Sequence, residues 1–251
     1  MDEIITALAD QHAELADLLA GLDDDGWARP SRCEGWSVSD VVLHLAQTDE
    51  MALASLDDLI PEYLAAAAEG LPPAANVDDG AGAMVEKERG EPGSAVRDRW
   101  QHNAEELVER FNDTDLSRRV TWVAGELSAR TLAATRVSET WIHTGDVAEA
   151  LRIELAPTDR LRYIARLAWR TLPYAFARAG QELTGAVAFL LTGPNGDAWN
   201  FVPEAAPLTT VAGPATDLCD VAARRIDPAD TALRADGPDA AAVLELVRTY
   251  A

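Results

Sequence analysis

The sequence predicts a two-domain α+β protein, with a four-helix bundle over residues 1–156 and a small mixed α+β domain over residues 157–251. Three observations carry this. In four stretches before Pro157 the apolar residues recur at spacings of three and four, the repeat of helices that bury one face. Beyond Pro157, short β-branched and aromatic runs bounded by Gly, Pro and Asn alternate with helical stretches. Three of the four N-terminal helices also place a histidine on the inner face, which puts a polar site inside the bundle.

Composition narrows the function. The 251 residues are 48% apolar and 25% charged, as in an ordinary globular chain long enough to bury a core in each domain. With 43 acidic against 21 basic residues the formal charge is −22, which disfavours nucleic-acid phosphates and anionic membranes as partners. The N-terminus has no basic region followed by an apolar run, and no stretch approaches the length of a membrane span, so the expected location is the cytoplasm. Cys33 and Cys219 show neither pairing nor CxxC spacing and read as free thiols in packing roles. A reaction that needs a thiol would then have to import one.

The elements follow in order. Ile5, Leu8, His12, Leu15 and Leu19 form one seam of a first helix over residues 2–21, so His12 faces the core, where it either hydrogen-bonds a ligand or substrate or, the favoured reading, is a satisfied structural histidine. Asp23, Asp24, Asp25 and Gly26 end that helix, and a loop runs from Trp27 through Pro30, Cys33, Gly35 and Trp36. Ser37 caps a second helix with Asp40 in the manner of a capping box. This helix reaches about Ala65 and presents Val41, His44, Leu45, Thr48 and Ala52 inward. Residues 70–93 lack helical periodicity and read as a long acidic connection of the kind that forms lids. Ser94 caps a third helix with Val96, Trp100, Leu107 and Phe111 buried. His102, about 200° around from Trp100, faces solvent. An extended piece over residues 120–127 leads to Ser128 and the fourth helix.

In the second domain a helix spans Thr158 to about Gly180 with Pro173 inside it. Strands follow over Ala186–Thr192, Ala198–Val202 and Leu208–Ala212. Gly213-Pro214 opens a helix to Arg225, Leu233–Ala235 is a fourth strand, and Pro238 to Tyr250 forms the closing helix.

The fourth helix carries Arg136, Glu139, His143 and Asp146 along one stripe with Leu132, Val147 and Ala150. Glu139 and His143 stand four residues apart, one above the other. Burying such a pair among aliphatics is costly unless it is compensated, either by a shared cation or by a private salt bridge of Glu139 with Arg136 or protonated His143. With His44 across the helix interface, the set becomes N, O, N, which suits Zn2+, Fe2+, Ni2+ or Co2+ with positions left open. Spacing alone leaves both accounts standing. Asp146 could orient a ligand imidazole or anchor the two domains.

The segment Trp27-x-x-Pro30-Ser31-x-Cys33-x-Gly35-Trp36-Ser37-Val38-x-Asp40-Val41-Val42-x-His44-Leu45, with Arg136-Val137-x-Glu139-Thr140-Trp141-x-His143-x-x-Asp146-Val147 further on, resembles the mycothiol-dependent maleylpyruvate isomerase family of the DinB-like superfamily. The resemblance extends over nearly the whole chain and implies a DinB-like bundle followed by a small α+β domain that closes a cleft. It places the metal ligands on His44, Glu139 and His143. The functional arginine of the C-terminal domain falls on Arg225, with Arg224 the alternative register. It further implies a divalent metal, usually zinc, that activates the thiol of mycothiol as cosubstrate towards a small molecule; the sequence leaves monomer and homodimer both open. An isomerase of the maleylpyruvate type is the leading reading. A mycothiol S-transferase and a non-catalytic metal-binding or sensory protein are the alternatives. The acidic segment at 70–93 departs from the family pattern and could reshape the entrance.

Overall fold

The computed structural model describes residues 1–249, and the chain divides after Leu155 into two compact units. The first contains α1 (Glu3–Leu19), α2 (Asp24–Trp27), α3 (Val38–Leu56), α4 (Ile60–Ala67), α5 (Val77–Glu88), α6 (Gly93–Asn112), the hairpin β1 (Arg119–Trp122) and β2 (Gly125–Ser128), and α7 (Ala129–Leu151). The four long helices pack together, with α1 and α3 each lying against both α6 and α7. Leu15, Val41, Leu45, Trp100 and Val147 meet in their shared core.

Ser37 caps α3 by accepting from the Asp40 amide while the Asp40 carboxylate accepts from the Ser37 amide, so both ends of the predicted capping box form. This fixes where α3 begins and therefore which face His44 occupies. Ser128 caps α7 through the Thr131 amide and does the same for Glu139 and His143.

Several expected boundaries are corrected. The run Asp24–Trp27, expected to end the first helix and begin a loop, is a separate helical turn capped by Asp23. The second long helix stops at Leu56 instead of about Ala65, because Asp58 turns into the left-handed region (φ 61°) and Pro61 belongs to the first turn of α4. Residues 70–93 are not a structureless connection. Asn76 caps α5 through the Asp79 amide, and Val85 is the one residue of that helix in the core, so it shows no apolar stripe. Gln47 donates to the Met84 carbonyl (3.0 Å), and Lys87 donates to the Ala67 and Glu69 carbonyls at the end of α4. Ser94 does not cap α6, which starts at Gly93 behind Pro92. A Cβ on Gly93 would lie 2.2 Å from the Trp27 indole, so the close approach there requires glycine.

The second unit contains α8 (Leu161–Arg178), β3 (Val187–Thr192), β4 (Ala198–Phe201), β5 (Thr209–Pro214), α9 (Ala215–Ala222), β6 (Arg234–Asp236) and α10 (Ala240–Leu246). Its sheet has the order β4-β3-β5-β6, with β3 and β5 parallel and the outer pairs antiparallel. Val187, Phe189 and Leu191 alternate into the core, and Trp169 on α8 donates to the Val187 carbonyl (2.7 Å). Three further expectations change. Pro214 ends β5 instead of opening the next helix, α9 ends at Ala222 before Arg225, and α10 ends at Leu246; Tyr250, where the closing helix was expected to end, lies outside the described residues. Among the described residues no helix is long and apolar enough to cross a membrane.

Candidate metal centre

Helices α3 and α7 bring His44, Glu139 and His143 together. One carboxylate oxygen, Glu139 Oε1, lies 3.0 Å from His44 Nε2 and 3.4 Å from His143 Nε2. The imidazole rings stand edge to face, with centroids 4.9 Å apart. Four donors bound at about 2.0–2.1 Å in a tetrahedron are about 3.3 Å from one another, so both separations suit donors around one cation. All three ligand atoms lie within 4.8 Å of one another.

The surroundings decide which atoms face inward. His143 Nδ1 is 2.9 Å from Asp146 Oδ2, which is buried on the next turn of α7. Asp146 therefore accepts a hydrogen bond from Nδ1–H and leaves Nε2 for the centre, the arrangement that commonly fixes a metal-binding imidazole. Burial opposes protonation of His143, but hydrogen bonds with Asp146, Cys33 and Glu139 outweigh it and raise its pKa well above the usual value. Burial likewise opposes ionisation of Glu139, yet hydrogen bonds from His143 and His44 and their charges hold its pKa well below the carboxylate range. Burial lowers the pKa of His44, with Glu139 pulling the other way. In this state the ring protons directed at Glu139 occupy the positions from which a cation would be held. A donor set of two imidazoles and one carboxylate thus fits a divalent metal. The Glu139 side chain keeps 22% of its surface, so the centre is not sealed on all sides.

Of the residues singled out from sequence, His44, Glu139 and His143 converge and Asp146 joins them. His102 is exposed, as its helical position required. Arg136 does not pair with Glu139. Its Nε lies 2.9 Å from Asp49 Oδ1, so the private Glu139–Arg136 salt bridge is replaced by a different buried pair. His12 is buried on α1, edge-on to Trp100 at 6.0 Å, but neither ring nitrogen has a hydrogen-bond partner, which corrects its reading as a satisfied histidine. Arg225 lies just past α9, where its amide closes on the Asp220 carbonyl (2.8 Å) and its guanidinium donates to the Ala223 carbonyl (3.0 Å). Arg224 before it takes the left-handed conformation (φ 60°), so the two arginines do not share a helical face.

Two contributors were missed. Cys33, assigned to packing, donates to Asp146 Oδ2 (3.4 Å) and lies 4.0 Å from His143 Nδ1. Trp36 on the same loop faces the His44 ring at 5.2 Å. A loop has no periodicity from which such contacts could be read. Asp49 follows Thr48 on the inner face of α3, and that position was the available signal for a buried acid. Cys219 does pack, fully buried against the Leu161 carbonyl.

The first unit thus sets two histidines and a glutamate that could hold a metal ion between two of its helices, and a small α+β unit follows it in the chain. Residues 8–148 match the family described as Mycothiol maleylpyruvate isomerase N-terminal domain, and the chain belongs to that family. Two uncharacterized proteins from two strains of Mycobacterium tuberculosis are each 35% identical to it over 251 residues, covering 97% of this chain and 95% of theirs. Its fold is similar to the crystal structure of the mycothiol-dependent maleylpyruvate isomerase and of a histidine-to-alanine variant of that enzyme. For each the TM-score is 0.61, at 19% identity, with 95% of both chains covered.

Proposed function

We propose that this chain is a metal-dependent and mycothiol-dependent enzyme acting on a small unsaturated, carboxylate-bearing molecule, as an isomerase of the maleylpyruvate type, on a DinB-like four-helix bundle. The observation that carries the reading is the convergence of His44 Nε2, Glu139 Oε1 and His143 Nε2, with the far side of His143 held by Asp146. His44, Glu139 and His143 would hold a divalent cation, zinc on the family's pattern, which would supply the positive charge that keeps a thiol ionised at neutral pH. The protein's share is to fix that charge. His44 and His143 contribute neutral nitrogens, Glu139 contributes a single negative charge, and Asp146 holds the Nδ1 proton of His143 in place. Cys33 is not the reacting thiol on this reading, since its S–H is committed to Asp146. An imported thiol serves cis–trans isomerisation by reversible addition to the conjugated double bond, and it is regenerated.

Turnover against thiol tests this directly. Purified protein given substoichiometric mycothiol and a cis-configured unsaturated diacid is expected to convert many substrate equivalents per thiol. One thiol consumed per product would make the chain a transferase. Metal binding without thiol-dependent turnover would make it a binding or sensory protein.

Arg225 belongs to the same reading through the family resemblance, as the residue that recognises a substrate carboxylate. Arg225→Ala is expected to retain metal and lose about 10²-fold in kcat/KM, the equivalent of one charge-assisted hydrogen bond of about 3 kcal/mol. Exposed Arg224, replaced by alanine, is the control and is expected to keep its rate. Steady-state kinetics with an anionic substrate separate the two, and equal rates in both variants would remove Arg225 from the reading.

A further inference from the structure

We infer that Arg136, Asp49 and Thr48 form a register lock that sets the spacing of the metal-binding side chains, an inference that rests on the metal-centre reading above. Two rungs join the same pair of helices. The first is His44 on α3 to Glu139 on α7, at 3.0 Å. The second begins at Arg136, three residues before Glu139, and ends on Thr48 and Asp49, four and five residues after His44. Arg136 Nε and Nη2 both reach Asp49 Oδ1 at 2.9 Å, and Nη2 also donates to Thr48 Oγ1 at 2.9 Å. Thr48 Oγ1 in turn donates to the His44 carbonyl, also at 2.9 Å, so the second rung is tied to the backbone of the ligand itself.

The rungs lie about 4.5–7.5 Å apart along the helices, close enough that a slide or rotation of α7 against α3 cannot spare one and break the other. The Arg136 and Asp49 side chains are 2% and 0% exposed. Arg136 is planar and forked, so it fixes an orientation as well as a distance, which a point charge would not do. Burial of this pair is poorly explained by stability alone, because packed apolar side chains of similar volume often serve a core as well or better. Asp49 Oδ2 has no hydrogen-bond partner, and burial pushes the Asp49 carboxyl up to about 6 against the pull of Arg136. A positional role accounts for keeping a pair with that cost. These three are positioning residues, which act through His44 and Glu139.

The test is the double variant Arg136→Met/Asp49→Leu. It removes one positive and one negative charge, so the net charge around the centre is unchanged and a change of net charge cannot account for the result. The apoprotein is expected to melt no lower than the parent. Zinc affinity, measured by chelator competition, is expected to fall about 10–100-fold, the usual effect of losing an outer support of a metal site. A crystal structure of the metal-free variant is expected to show the His44–Glu139 hydrogen bond opened. Parental zinc affinity in a folded double variant, or a His44–Glu139 separation unchanged at 3.0 Å, overturns the lock. If the double variant does not fold, Thr48→Val removes only the hydroxyl link and is expected to lower zinc affinity about tenfold; unchanged affinity there is equally fatal. A parent that binds no zinc would sink the metal-centre reading instead, and the metal-free crystal spacing would still decide the lock.

Discussion

Glu139→Ala is expected to reduce metal content from stoichiometric to trace while leaving the first unit folded. Glu139 is the single carboxylate of the set and, among the described residues, the one that pairs with both imidazoles. Without it two neutral nitrogens remain, and no ligand atom carries a negative charge to offset a divalent cation in a buried site. The helices persist because their core is the aliphatic and aromatic cluster around Leu15, Val41, Trp100 and Val147, to which Glu139 does not belong. His44→Ala and His143→Ala are expected to give the same loss, and His102→Ala, on an exposed face, is expected to give none. Elemental analysis of the purified variants, with circular dichroism to establish folding, checks the series. Full metal occupancy in the Glu139 variant would remove the carboxylate from the centre.

His12→Leu is expected to make the protein more resistant to acid. Burial pulls the His12 pKa down to about 3, with the Arg136 charge contributing. Its folded pKa thus lies below the ordinary value of 6.5, and as pH falls through 6.5 the unfolded chain takes up the proton first. Stability linked to this group is complete above about pH 6.5 and is lost progressively down to about pH 3. At pH 4.5 the loss amounts to about 3 kcal/mol, taking 1.36 kcal/mol per unit. Asp49, pushed up to about 6 by burial, titrates with the opposite sign, so the difference between wild type and variant is the informative quantity. Denaturant unfolding is expected to show the variant no less stable at pH 7.5, since two orphaned nitrogens are removed, and about 3 kcal/mol more stable than wild type at pH 4.5. Parallel pH profiles would mean that His12 is solvated in solution. Loss of metal in this variant would bring it into the centre.

The sequence made legible whatever depends on local pattern. The capping box at Ser37 and Asp40 fixed the start of α3, and four-residue spacing placed Glu139 and His143 on one stripe. Tertiary pairing was not legible in the same way. Arg136 had a carboxylate three residues away in Glu139, and nothing local revealed that its partner would be Asp49, 87 positions earlier. Cys33 lies in a loop whose path is set by contacts such as that of Ser31 with Trp36, so its approach to Asp146 left no periodic trace. Helix α5 escaped notice because it buries only Val85 and contains Gly80 and Gly82, both of which weaken a helical signal. Arg224 and Arg225 were read as continuing a helix. A left-handed residue that is not glycine gives no warning in the sequence, and it is what separates them.

The central claim is that His44, Glu139 and His143 hold one metal ion, and anomalous diffraction at the zinc edge from a crystal grown with zinc tests it most directly. The neighbouring group Cys33, His143 and Asp146 also brings three potential ligand atoms within 4.8 Å of one another and uses the opposite nitrogen of the same histidine, so it is the natural competitor. The account predicts a single strong peak about 2.0–2.2 Å from His44 Nε2, His143 Nε2 and a Glu139 carboxylate oxygen, with His143 Nδ1 still bonded to Asp146. A peak on the Cys33 side of His143, or no peak between α3 and α7, would contradict it.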